Sequence, residues 1–233
     1  MKATRKLIPA FAMLLIAAVM MSTATFAWFS TNSEVTVNDF KVTAKADTTF
    51  IVVSKSAGQV DNKGTSISYT DVAKALIPAK ATITGTDVKW ETGTGTSPSN
   101  GAASGALTDV TDTKDSYVLA NTFYIRTANG FPAASNLKLK TFTVTSDSKF
   151  ADAISVVLVV KGYDAGGSAT TVAENYVDKT TKDTVLSASV PATGDVIVEA
   201  YIYINGENAK VITDNATAEN LVDIEVDFVF SVG

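Results

Sequence analysis

The closing stretch Val222-Asp223-Ile224-Glu225-Val226-Asp227-Phe228-Val229-Phe230-Ser231-Val232 decides the fold class. Val222, Ile224, Val226, Phe228, Phe230 and Val232 are all apolar, and Asp223, Glu225 and Asp227 stand between them. A period of two marks a strand with one face in a core and the other toward water. Carboxylates two apart on such a strand read as a solvated face before they read as a cation site.

Further strands are predicted upstream. Residues 50–55 form a short one, and 116–127 place Tyr117, Leu119, Phe123 and Ile125 on one side. In 136–145 the apolar positions switch from odd (Leu137, Leu139) to even (Phe142, Val144), which predicts a bulge near Lys140-Thr141. Residues 154–160 are almost continuously apolar, as in a strand covered on both faces. Residues 195–204 run into Asn205-Gly206, a tight-turn signal ahead of 209–212. A short helix is expected at 71–77, capped by Thr70 or Asp71 and stopped by Pro78. After residue 27 the chain holds 29 Thr and 26 Val against 8 Leu. β-branched side chains fit a pleated surface better than a helix. The fold class is therefore all-β, an antiparallel sandwich with at most short helices.

Residues 92–105, TGTGTSPSNGAASG, hold nothing that builds a core and are expected to be an exposed, mobile loop within one domain. No internal repeat stands out.

The chain has 233 residues, net charge −5, and neither His nor Cys. That excludes a Ser-His-Asp triad, a Cys nucleophile and any imidazole or thiolate metal site. No disulfide is available either, so packing and strand pairing must hold the molecule. All four Met lie in the first 21 residues.

Residues 1–27 read as a secretory signal. Lys2, Arg5 and Lys6 precede an unbroken apolar run over 7–21, followed by Ser22-Thr23-Ala24-Thr25-Phe26-Ala27. A spanning helix needs roughly 20 apolar residues, so the run is short for a permanent anchor. Cleavage sites fit after Ala24 and after Ala27. Cleavage between Ala27 and Trp28 leaves 206 residues, 16 basic against 24 acidic, or net −8. Such a balance disfavours nucleic acid and anionic lipid as partners. The competing reading keeps the segment as an anchoring helix.

Several motifs fail on context. Ser146-Asp147-Ser148-Lys149 has S-x-x-K spacing without its partner motifs. The Gly-rich loop lacks a following Gly-Lys-Ser/Thr. Asp109, Asp112 and Asp115 are three apart, not at calcium-loop spacing. Val190-Pro191-Ala192-Thr193-Gly194 is similar to a wall-sorting signal, but with 39 further residues it reads as a turn. No catalytic, cofactor-binding or metal-ligating residue is expected, and the chain reads as no enzyme.

After the cut the chain opens on Trp28-Phe29-Ser30-Thr31-Asn32, then Val35, Val37, Phe40 and Val42. Apolar positions change parity at Asn38-Asp39, which predicts a break between an arm (28–37) and a domain body (38–233). An apolar N-terminus must be buried, in its own domain or by strand addition to a neighbour.

Together with the basic start and apolar run, Thr25-Phe26-Ala27-Trp28-Phe29-Ser30 resembles exported proteins of the TasA/camelysin type, whose leaders are cut by a SipW-type signal peptidase. The likeness is concentrated in residues 2–45. It implies a jelly-roll-like sandwich secreted by a Gram-positive bacterium and assembling into extracellular, biofilm-matrix fibres. Each subunit's arm (Trp28, Phe29, Val35, Val37) would complete the next subunit's sheet as a donor strand. Partners would be further copies of the chain and the signal peptidase, with the membrane met only through the leader and no nucleic acid. Camelysin-type members have been labelled metallopeptidases; without His, that activity has no ligands here. Two other readings stay open: a pilin that retains 7–29 as a polymerising helix, and a monomeric surface domain binding glycans or host protein through 92–105 or the Phe131-Pro132 loop.

Overall fold

A computed structural model describes residues 35–47, 50–60, 66–84, 87–93, 107–146, 151–163, 172–176, 184–208 and 224–233. The signal segment, Ala27, Trp28 and Phe29, residues 94–105, the 209–212 strand, Asp223 and most of Ser146–Lys149 lie outside the described residues.

The fold is an all-β sandwich. Its first sheet has the order β11 (Thr184–Val190), β8 (Ala134–Thr145), β13 (Glu225–Ser231), β1 (Val35–Ala46), β3 (Ser66–Leu76). The second runs β10 (Val172–Tyr176), β9 (Ile154–Tyr163), β12 (Val196–Ile204), β7 (Val118–Thr127), β2 (Ile51–Ser54). A third sheet of β4 (Lys80–Thr84), β5 (Asp87–Gly93) and β6 (Leu107–Asp109) was not foreseen from the sequence.

β13 carries the alternation that decided the fold class: Val226, Phe228 and Phe230 are fully buried, and the residues between them are half-buried. It sits in mid-sheet, with Phe228 at 5.6 Å from Phe123 across the core and 5.7 Å from Phe142 beside it. One side pairs antiparallel with β8, but the other pairs parallel with β1, so the sandwich is not purely antiparallel. A parallel neighbour needs a long crossover, and β1 and β13 lie at opposite ends of the chain.

The bulge falls where the parity change places it. Val229 stands opposite Thr141 and Phe230 opposite Leu139, leaving Lys140 as the extra residue. That residue lets Leu137, Leu139, Phe142 and Val144 all reach one core. β9 is covered on both faces, as its apolar run requires. Ile154, Val156, Leu158 and Val160 enter the sandwich core, whereas Val157 and Val159 join Trp90, Val118 and Tyr203 in a second cluster beneath the third sheet.

Two expectations are corrected. Residues 71–77 are not a helix: 71–76 complete β3, paired in continuous register with β1 from Lys45↔Ser66 to Val35↔Leu76. A seven-residue helix is too short to hold itself together in water, and β1 offers each backbone group of the segment a ladder partner. Pro78, without an N–H, stands two residues past the strand end. Thr92 and Gly93 are not loop but the end of β5, paired with Thr108 and Leu107, and the Thr92 hydroxyl donates to Pro78 O at 3.1 Å.

Candidate assembly site at the N-terminal strand and the two poles

β1 runs the length of the sandwich. The Asn38-Asp39 parity change does not break it, because the pairing with β3 continues without a shift across Asn38↔Ala73 and Phe40↔Asp71. The boundary of any arm therefore moves back: Val35 and Val37 belong to β1, opposite Leu76 and Lys74 of the same chain. Toward β13 the ladder begins only at Lys41, whose N–H donates to Ile224 O at 2.9 Å. Among the described residues, positions 35–40 thus have a strand partner on the β3 side alone. β3, eleven residues long, forms the end of its sheet. The opposite end, β11, carries no charge in its seven residues, is bulged between Val185 and Ser187, and leaves Val185 45% exposed.

On the outer face of this sheet, Lys41 pairs with Glu225, and Lys140 with Asp47 at 2.6 Å. Burial pushes the Asp227 carboxyl above its ordinary value and Glu225 adds to this, against the nearby Thr43 hydroxyl and the charges of Lys41 and Lys45. Glu225 is thereby engaged by a lysine. Among the described residues no group of three or more acids is arranged to hold a metal ion.

The second acidic run is likewise dispersed. Asp109 and Asp112 line a cavity of about 460 Å³ with Asp87, Lys89, Thr111 and Thr113, and Asp115 does not. Asp109 Oδ1 accepts the Thr111 N–H at 3.0 Å, which holds that carboxyl below its ordinary value, and Lys89 lies 3.8 Å from Oδ2.

The pole opposite Val35 is where β1 turns into β2. Ala128 N–H donates to Phe50 O at 2.8 Å, Asn129 N–H to Val60 O at 3.2 Å, and Phe131 N–H to Ala128 O at 3.0 Å. Gly58 (φ +82°) and Gly130 (φ +84°) take left-handed conformations that a side chain would strain. Asp195 anchors these loops from below. It is fully buried, and it accepts Arg126 Nε at 2.5 Å, Arg126 Nη2 at 2.7 Å and the Gly58 N–H at 2.9 Å. Residues 190–194 form the expected turn into β12, with Gly194 at φ +100°. Above this framework Phe50 is 50% exposed and meets Phe131 edge-to-face at 5.0 Å.

Sequence reasoning placed Phe131-Pro132 on a contact loop but missed Phe50, Arg126 and Asp195. The one available signal was scarcity, since Arg126 is the only arginine after Arg5. Scanned against family models, curated proteins and solved structures, the chain matches none.

Proposed function

We propose that this chain is a secreted structural subunit of extracellular or cell-surface fibres of the biofilm-matrix kind, in which the segment from Trp28 to the start of β1 acts as a donor strand for a neighbouring copy. The observation that carries the reading is the placement of β1. An aromatic opening (Trp28, Phe29) precedes by a few residues a strand that enters the sandwich at one pole and, among the described residues, pairs with β13 only from Lys41 onward. Strand addition to a neighbouring copy buries such aromatics. The sandwich supplies durability through a core shared by both five-stranded sheets, with no disulfide required. On this reading a SipW-type signal peptidase frees Trp28 by cutting after Ala27, and export from a Gram-positive cell precedes assembly.

The test is N-terminal sequencing of the secreted protein, followed by electron microscopy with and without residues 28–34. Stopping the deletion at 34 leaves β1 whole. Expected are a chain beginning at Trp28, fibres from the intact form and monomers from the shortened one. An intact form that stays monomeric at high concentration, indistinguishable from the shortened form, rejects the proposal.

A further inference from the structure

The two poles of the sandwich differ in a way that a fibre needs. Trp28 and Phe29 precede β1 at the Val35 pole, and Phe50 and Phe131 stand at the other. Trp28 lies seven Cα steps before Val35, a reach of at most about 25 Å when fully extended. β1 alone covers eleven steps of about 3.3 Å, roughly 36 Å, before the chain reaches Phe50. To meet Phe50 of its own chain, Trp28 would have to double back fully extended along nearly the whole of β1, which no strand pairing among the described residues supports.

Phe50 is not a loose tip. Its carbonyl is held by Ala128, its ring by Phe131, and the loops around it by the buried Arg126–Asp195 pair and the Gly58 N–H. Pro132 beside it is exposed. Among the described residues the exposed large hydrophobic side chains are Phe50, Leu107 and Val185, and Phe50 is the aromatic one. An aromatic kept in water on a rigid hydrogen-bonded frame is pre-organised for another aromatic, since edge-to-face and offset contacts add to simple burial.

From this polarity, and resting on the donor-strand reading above, we propose that the Phe50–Phe131 platform receives Trp28 and Phe29 of a second copy of the chain. The donor segment joins β1 at one end of the sandwich and the platform lies at the other, so the contact is heterologous. Each copy offers one arm and one platform, and the series grows as an open filament.

The experiment uses the secreted protein and three variants. Phe50→Ser keeps the arm and loses the platform; Trp28→Ser with Phe29→Ser keeps the platform and loses the arm; Phe50→Tyr retains the ring. The Phe50 side chain is half in water and its hydrogen bond is made by the backbone, so Phe50→Ser should unfold at the wild-type temperature. Its critical concentration for assembly should rise about tenfold or more, with Phe50→Tyr assembling as wild type. Phe50→Ser mixed with the arm variant should form a 1:1 pair by light scattering and nothing longer, since one arm and one platform remain between them. If Phe50→Ser polymerises normally while removal of residues 28–34 abolishes polymerisation, the platform assignment is wrong and the donor strand stands. The assignment also fails if the two variants do not pair. If neither the platform nor the arm affects assembly, the donor-strand reading itself is overturned.

Discussion

Two side chains bear disproportionate weight. Asp195 is fully buried and Arg126 nearly so, and their fork-to-fork pairing is completed by the Gly58 N–H. Removing one partner leaves an uncompensated buried charge, so Asp195→Ala should cost about 3–5 kcal/mol in chemical denaturation. Replacing both, as Arg126→Met with Asp195→Leu, should restore most of the loss. A single variant within about 1 kcal/mol of wild type would show that water reaches the guanidinium. Asp227 acts in the opposite sense. Its native carboxyl holds its proton more tightly than the unfolded chain's, chiefly because it is partly buried. The stability it contributes is fullest below about pH 3.9, the unfolded value, and falls as pH rises through the higher native one. Asp227→Asn should therefore match wild type in urea midpoint near pH 3 and exceed it at pH 7. A lower midpoint for Asp227→Asn at pH 7 would contradict this origin of the shift.

At the level of elements, β8, β9 and β13 were legible because their information is local. A parity switch around Lys140 fixes a bulge, and a doubly apolar run fixes a doubly covered strand, whichever partners these strands find. β3 was misread because the 71–77 pattern suits a short helix equally well, and only the presence of β1 alongside decides between them. The third sheet escaped notice because β4 and β6 are short, and its hold on the sandwich lies in Trp90, edge-to-face with Tyr203 at 5.0 Å and with Tyr201 at 6.0 Å. Trp90→Ala should destabilise by about 3–5 kcal/mol, read by thermal unfolding monitored in the far ultraviolet. A loss below about 1 kcal/mol would mean that this sheet folds and melts apart from the sandwich beneath it.

For the whole molecule, polarity is the property that matters. β1 runs from the pole at Val35 to the pole where Phe50 meets Phe131, and β13 beside it holds that strand within the sheet. The parallel β1–β13 ladder ties the two ends of the described chain together, so load applied along β1 is shared with the strand that contributes Val226, Phe228 and Phe230 to the core. The aromatic opening Trp28-Phe29 stands out in the sequence because it is a local signal. The Phe50–Phe131 pair does not, because these rings meet only through the pairing of β2 with β7.

By itself, the sequence determined that the protein is built from strands, where one of them bulges, which one is buried on both faces, and that its chemistry excludes His and Cys. Each of these follows from side-chain type and spacing within about ten residues. Only the tertiary structure decided the parallel ladder, the third sheet, the buried Arg126–Asp195 clasp and the meeting of Phe50 with Phe131. These depend on which distant segments win each other's backbone hydrogen bonds, and that competition is settled by closing long loops and burying shared surface.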